Sequence, residues 1–213
     1  MTGVQTCALP IFGLGFVLGL KHATDPDHIV AVTTFIGKEP GFRRACGIGL
    51  FWGLGHTIAL SVAGLVVIGL KIPITRWLAD RLEFVVAAML VILGAQLIAR
   101  VHTRWHETHQ HFEWRQLGTR SMLVGIVHGM AGSAALTLLV LSTLSSTMDG
   151  LLYILIFGIG SMLGMIVISA LLALPLQVAG KRVQPITRQI QMSTGVLSCA
   201  FGLHLAARVW SSL

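Results

Sequence analysis

The sequence predicts an all-α membrane protein of six transmembrane helices, arranged as two inverted three-helix repeats with the first helix broken near Pro26. Three observations predict this fold class: the composition, the spacing of the apolar runs, and a similarity between the two halves of the chain. Of the 213 residues, 54% are hydrophobic and 11% are charged, whereas about 25% of the residues in an average soluble protein are charged. With a mean hydropathy of +0.82, the composition excludes an ordinary soluble domain.

Six apolar segments are long enough to cross a bilayer as helices. A span needs about 20 mostly apolar residues to cross about 30 Å of hydrocarbon, and a helix satisfies its own backbone there. The start of the chain, MTGVQTCALPI, resembles a translated sequencing adaptor, which makes residues 1–11 a candidate non-native leader. The predicted spans are 12–36, 45–70, 82–99, 120–143, 151–176 and 187–208.

The two halves of the chain resemble each other. The segment that contains His22 has a counterpart that contains His128, and two further pairs of segments follow in the same order. Because each half has an odd number of spans, the halves are inverted, as in many secondary transporters. We therefore predict repeats at 12–99 and 120–213, joined by a His-rich loop at 100–119. The paired segments are LGLKHA (18–23) with VGIVHG (124–129), GLGH (53–56) with MLGM (162–165), and LGAQLIARV (93–101) with FGLHLAARV (201–209).

Basic residues are unevenly distributed between the predicted loops. Ten Lys and Arg residues lie on the first, third and fifth loops, against four on the opposite side. Because cytoplasmic loops carry excess positive charge, this split predicts an integral protein of the bacterial cytoplasmic membrane. Both termini are then outside the cytoplasm and the 100–119 loop is inside. The excess of basic residues in cytoplasmic loops accounts for the net positive charge of the chain. The lipid bilayer is therefore the expected surrounding, and nucleic acid is not an expected partner.

A polar cluster interrupts the first apolar span. The heptapeptide HATDPDH begins at His22 and is followed by the apolar run IVAV. An aspartate at mid-membrane costs about 2.5 to 3.5 kcal/mol, so Asp25 and Asp27 need a compensating partner. At about 100° per residue His22, Asp25 and His28 share a helical face, while Pro26 favours a break in the helix. Imidazoles and carboxylates around such a break suit a borderline divalent ion such as Ni²⁺ or Co²⁺.

Two alternatives to a metal site are a loop between two short spans and a proton relay without metal. The apolar stretches on either side of the cluster are too short to span separately, which disfavours the loop, and two further histidines disfavour the relay. His56 in the second span and His128 in the fourth each stand beside a glycine. Imidazoles then come from three spans, while His204, near the end of the sixth, is expected to be interfacial. The candidate metal ligands are His22, Asp25, Asp27, His28, His56 and His128.

The 100–119 loop contains a second group of histidines. A solvated hydrophilic loop is the simpler interpretation of this group, and the alternative is a weak cytoplasmic docking place for metal. The polar and aromatic residues of the loop are His102, His106, His109, His111, Trp105, Glu107 and Glu113.

Several segments resemble one known family. The HATDPDH segment resembles the H-x4-D-H signature of nickel/cobalt transporters, with His22, Asp27 and His28 at the signature positions. Two later segments are similar to the family's LGH block and to the HGLAGSAA block of its short branch, often labelled urease accessory membrane proteins. These segments are FWGLGHT (51–57) and VHGMAGSAAL (127–136).

The resemblance covers about residues 12–209. It implies a membrane permease for Ni²⁺ or Co²⁺ in which the signature histidines and aspartate recognise the metal. Two features differ from the family's pattern. The extra span that precedes the signature helix in longer members is absent from this sequence, and Pro26 replaces the alanine common between the two aspartates.

The function expected from the residues and the resemblance is a permease in which the ion is the transported substrate and no cofactor is permanently bound. It is not expected to be an enzyme. Because no GxxxxGK[ST] motif is present, ATP coupling would require another chain, and any nickel-enzyme maturation partner is unidentified. Two rivals stay open: a membrane-bound metalloenzyme whose histidines hold redox iron, and a proton-coupled exporter of a small organic or sulfur compound.

Overall fold

A computed structural model describes residues 5–38, 41–70, 75–103, 114–143, 146–180 and 184–211. Seven helices are found within these residues, which contain no strand. The predicted all-helical fold class is therefore confirmed for the described part of the chain. The helices are α1 (Gln5–His22), α2 (Pro26–Lys38), α3 (Phe42–Leu70), α4 (Arg76–Thr103), α5 (Trp114–Thr143), α6 (Thr147–Gly180) and α7 (Gln184–Trp210).

Four helices in the described residues are long and apolar enough to cross a membrane. They overlap the second, third, fifth and sixth predicted spans, and α5 contains the fourth, 120–143. Many of their large apolar side chains are exposed at the surface of the bundle, as expected where the surroundings are lipid. The four segments are Phe42–Val67, Arg76–Thr103, Thr147–Pro175 and Thr187–Trp210.

The first predicted span, 12–36, is divided into two helices. α1 ends at His22 and α2 begins at Pro26, the residue at which the sequence predicts a break. Pro26 has no amide hydrogen to donate to the preceding turn, and its fixed backbone angle suits the first position of a helix. In the turn, the Asp25 amide donates to the His22 carbonyl at 3.0 Å and the Ile29 amide donates to the Asp25 carbonyl at 3.1 Å.

Close glycine contacts bring α3 against α5. Gly55 of α3 lies against the backbone of Met122 in α5, and Gly125 of α5 lies against the backbone of Trp52 in α3. Small residues at such contacts let helix backbones approach closely in apolar surroundings. Helix α3 also packs against α6, whose neighbour is α1. Helix α3, which carries His56, therefore lies between α5 and α6.

A second close pair is formed by α4 and α7. A Cβ added at Gly94 of α4 would lie 2.6 Å from the carbonyl oxygen of Gly195 in α7. One added at Gly202 of α7 would lie 2.7 Å from the carbonyl oxygen of Ala87 in α4. Because backbone atoms form these contacts, neither helix can accept a larger residue without moving.

We expect the substitution Gly94→Ala to lower the stability of the bundle by about 1 to 3 kcal/mol, because the added methyl group overpacks the α4–α7 contact. The measurement is thermal unfolding of the purified protein in detergent. Gly69→Ala is the matched control, since a Cβ at Gly69 meets no atom of the described residues within 4 Å. An equal melting temperature for the two variants would contradict this description of the contact.

Candidate metal site

The turn between α1 and α2 brings the predicted polar cluster into the bundle. His22 ends α1, and Asp27 and His28 lie in the first turn of α2. His56 of α3 and His128 of α5 face them from neighbouring helices. The sequence predicts a shared face for His22, Asp25 and His28 together with a break near Pro26, and the structure places His22 and His28 on two helices that meet at that break.

Four imidazole rings lie close together at this turn. The ring centroids of His22 and His28 are 4.7 Å apart, and the His56 centroid lies 5.2 Å from His22 and 5.4 Å from His28. The His128 centroid lies 4.3 Å from that of His28. Imidazoles from three of the predicted spans therefore meet at one place.

The Asp27 carboxylate joins two of these rings. Its Oδ2 accepts a hydrogen bond from Nε2 of His128 at 2.7 Å, and its Oδ1 accepts one from Nδ1 of His28 at 3.1 Å. Asp25 makes the corresponding bond to the remaining signature histidine, accepting from Nδ1 of His22 at 2.7 Å. A carboxylate that accepts from one ring nitrogen fixes the tautomer and leaves a lone pair on the other nitrogen.

Several of the ring nitrogens are buried with no hydrogen-bond partner among the described residues. They are Nε2 of His28, Nδ1 of His128 and both nitrogens of His56. The three residues are at most 2% exposed. Buried polar atoms without partners are uncommon and costly in apolar surroundings, so the cluster has the donors that a metal ion would satisfy.

Two overlapping groups of possible ligand atoms are present in the described residues. One is formed by His22, His28 and His56, and the other by Asp27, His28 and His128. Within each group the ligand atoms lie within 4.8 Å of one another. His28 belongs to both groups and therefore links them.

An apolar cluster covers one side of the site. The indole ring of Trp52 is stacked on His28, with the ring centroids 5.7 Å apart and the planes 8° from parallel. Trp52 belongs to a buried apolar cluster that also contains Ile36, Ile48 and Met165. On α3 the members of this cluster, Ala45, Ile48 and Trp52, all precede His56.

A cavity of about 630 Å³ reaches the site from the opposite side. It is lined by five of the six predicted ligands, whereas the fully buried His56 is not part of its wall. On α3 the lining residue is Leu60, one turn after His56, so the cavity lies toward the end of that helix. The lining residues are Leu18, Lys21, His22, Asp25, Asp27, His28, Leu60, Glu83, Val86, His128, Ala131, Phe157, Phe201 and Leu205.

All six residues predicted as metal ligands are brought together by the structure, and metal coordination by them stays a prediction. Outside the cluster, His204 is exposed on α7 and His102 is exposed near the end of α4. The remaining histidines of the 100–119 loop lie outside the described residues.

Sequence reasoning missed two residues of this region. Trp52 precedes His56 by four positions, a helical spacing that places both on one face and could have pointed to the stacked indole. Glu83 lies on α4, which contributes none of the predicted ligands. No motif or spacing in the sequence connects Glu83 to the cluster.

An apolar helical bundle that contains ionisable groups, reached by a cavity, is typical of membrane transport proteins. Comparison with known proteins identifies the family within this class. The chain is 38% identical over 210 residues to Urease accessory protein UreH of Bacillus sp. (strain TB-90), a match that covers 94% of this chain and 92% of that protein. The chain therefore belongs to the nickel/cobalt transporter family, in the branch labelled urease accessory protein, which confirms the resemblance found in the sequence.

Two further relatives carry metal transport in their names. The chain is 28% identical over 148 residues to Putative nickel/cobalt efflux system MJ1092 of Methanocaldococcus jannaschii, covering 68% of this chain and 67% of that protein. It is 45% identical over 56 residues to Cobalt transport protein NhlF of Rhodococcus rhodochrous, covering 25% of this chain and 16% of that protein. These are names of transporters and not of enzymes. No protein-family model and no solved structure matches the chain.

We expect Asp27→Ala to lower the free energy of unfolding by about 1 to 3 kcal/mol in metal-free detergent solution. The reason is that the substitution leaves the buried ring donors of His28 and His128 without an acceptor. Thermal unfolding measures the effect, and Asp149→Ala, which changes an exposed carboxylate in the first turn of α6, is the control. If both variants unfold at the same temperature, Asp27 does not hold the two rings.

Proposed function

We propose that the chain is a permease that moves Ni²⁺ or Co²⁺ across the bacterial cytoplasmic membrane through the cluster at the α1–α2 break. The observation that carries this proposal is the convergence of buried ring nitrogens of His28, His56 and His128 that have no hydrogen-bond partner in the described part of the chain. The ion is substrate and not a resident cofactor, and no catalytic role is proposed. The residues that hold the ion along its path are His22, Asp25, Asp27, His28, His56 and His128.

The chemistry of the donors supports a divalent first-row ion. Neutral imidazole and carboxylate suit such ions, whereas soft thiolate ligands would favour Cu(I). Among the described cysteines, Cys46 and Cys199 are free, and neither belongs to a group of possible ligands. The names of the relatives, which specify nickel and cobalt, support the same two ions as substrates.

The two ligand groups supply consecutive binding positions. We propose that the ion first occupies one of the two groups, either His22, His28 and His56 or Asp27, His28 and His128. It then moves to the other group while it stays bound to His28, which both groups share. Binding requires neutral imidazole and ionised carboxylate, so metal binding releases the protons that these groups carry.

The α4–α7 contacts support the proposal of inverted repeats at 12–99 and 120–213. Ala87, Leu90 and Gly94 each have a counterpart 108 positions later, namely Gly195, Ser198 and Gly202. Gly94 approaches Gly195 while Gly202 approaches Ala87, so the two contacts are exchanged by the repeat. The hydrogen bond from Ser198 to the Leu90 carbonyl, 2.8 Å long, joins a residue to its own counterpart. We propose that α1 and α2 together form the first of six spans.

The site is open to a cavity on one side and closed by apolar residues on the other, and this difference supports alternating access. A cavity leads to the cluster on one side, and buried apolar residues around Trp52 cover the other. Rocking of the two repeats about the site would open one side while closing the other. With both termini outside the cytoplasm and the 100–119 loop inside, this cavity faces the non-cytoplasmic side.

The uptake of radioactive nickel by cells that express the protein tests the function. We expect His28→Ala to reduce uptake by at least about tenfold, because a ligand shared by both groups is lost. His204→Ala, which removes an exposed histidine of α7, is the control and should transport normally. Equal, chelator-insensitive uptake by wild type and His28→Ala would contradict the proposed function.

Labelling of single cysteines tests the orientation. In a cysteine-free background, Ser211→Cys and Thr75→Cys should react with a membrane-impermeant maleimide on intact cells, and Arg43→Cys should react only after lysis. All three positions are exposed, so burial does not prevent their reaction. A position that fails to react on intact cells therefore lies on the cytoplasmic side of the membrane. The reverse pattern would contradict the proposed orientation and, with it, the side to which the cavity opens.

A further inference from the structure

Glu83 lines the cavity that reaches the candidate metal site. It belongs to α4, a helix that contributes none of the candidate ligands. Its side chain is 35% exposed. Val86, one turn further along α4, lines the same cavity and is buried. Glu83 therefore lies nearer to the mouth of the cavity, and Val86 lies deeper.

Partly exposed carboxylates and buried imidazoles line the same cavity. The side chains of Asp25 and Asp27 are 45% and 29% exposed, and that of His28 is 2% exposed. His28 and His128, which line the inner wall, each carry a buried ring nitrogen without a partner in the described part of the chain. The cavity thus connects a carboxylate at the surface with unsatisfied metal-ligating atoms in the interior.

A cation of the protein already lies beside Glu83. The guanidinium of Arg208 in α7 is 3.6 Å from the Glu83 carboxylate, and its side chain is 68% exposed. Ion pairs with this degree of exposure are weak because water screens them and the long side chains lose freedom. A divalent cation is therefore able to replace the guanidinium without a large cost.

We propose that Glu83 is a binding residue for a hydrated divalent metal ion at the mouth of the cavity, and that Arg208 competes with the ion for it. The inference rests on the proposed function, because the ion is taken to continue to the histidine cluster. A carboxylate in a cavity with mostly apolar walls raises the local concentration of cations and the rate at which they associate. Glu83 accelerates entry of the ion and does not hold it at the inner site.

The association rate of Ni²⁺ with the purified protein in detergent tests this role, whichever side the cavity faces in the membrane. Stopped-flow quenching of tryptophan fluorescence by Ni²⁺ follows the reaction. We expect Glu83→Gln to lower the association rate constant by about three- to tenfold at low ionic strength and to leave the dissociation rate constant unchanged, since charges at the rim of a site act on association. The difference should shrink as salt screens the carboxylate.

Three variants serve as controls and comparisons. Glu83→Asp keeps the charge and should retain the wild-type rate. Asp80→Asn removes a carboxylate one turn earlier on α4 that is not part of the cavity wall, and it should change little. Arg208→Gln removes the competing cation and should raise the association rate by about two- to threefold.

The proposal is overturned if Glu83→Gln associates with Ni²⁺ at the wild-type rate, or if Asp80→Asn slows association as much as Glu83→Gln does. It is also overturned if the loss in Glu83→Gln is independent of salt and is shared by Glu83→Asp. Should Glu83→Gln fail to fold, Arg208→Gln decides, because an unchanged or lower rate in that variant contradicts competition for Glu83. Equilibrium binding by His28→Ala separates the two proposals. Lost binding in His28→Ala with normal rates in Glu83→Gln removes the role of Glu83 alone, whereas retained binding in His28→Ala removes the proposed function.

Discussion

Two hydrogen bonds to one carboxylate organise the interior of this bundle. Asp27 accepts from His28 on its own helix and from His128 on α5, at 3.1 and 2.7 Å. In apolar surroundings a buried polar group needs a partner, and these bonds give the two buried rings one while linking α2 to α5 through side chains. They also orient both rings so that the second nitrogen of each has no hydrogen-bond partner among the described residues. The same bonds therefore prepare the cluster for a metal ion.

The break at Pro26 makes this arrangement possible. In a continuous helix from residue 12 to residue 36, the two aspartates would lie within the helix, and no turn would bring the side chains of His22 and His28 together from two directions. Because α1 ends at His22 and α2 begins at Pro26, His22 and His28 approach from two helices, and both reach His56. Glycine contacts such as Gly125 against Trp52 bring α5 near enough to α3 for His128 to join them.

The sequence predicted the helical class, the break at Pro26 and the residues of the cluster, because each is a local signal. A proline and two aspartates in an apolar run are visible in the sequence, as are histidines beside glycines. The sequence could not predict that Asp27 bridges His28 and His128, since that contact depends on the positions of α2 and α5 in the folded bundle. The contact between Glu83 and Arg208 was missed for the same reason, because it depends on how α4 and α7 pack in the folded bundle. His22, Asp25 and His28 were predicted on one face of a helix broken near Pro26, and the break places His22 and His28 on two helices whose rings meet at the cluster.

The central claim is that imidazoles from separate helices coordinate one transported ion inside the bundle. X-ray absorption spectroscopy of the purified protein loaded with Ni²⁺ tests this most directly, because scattering from imidazole rings is distinct from that of water. The account predicts a nitrogen and oxygen shell with outer scattering from two or more imidazoles, reduced in His56→Ala. A spectrum of hydrated nickel without imidazole scattering would contradict it.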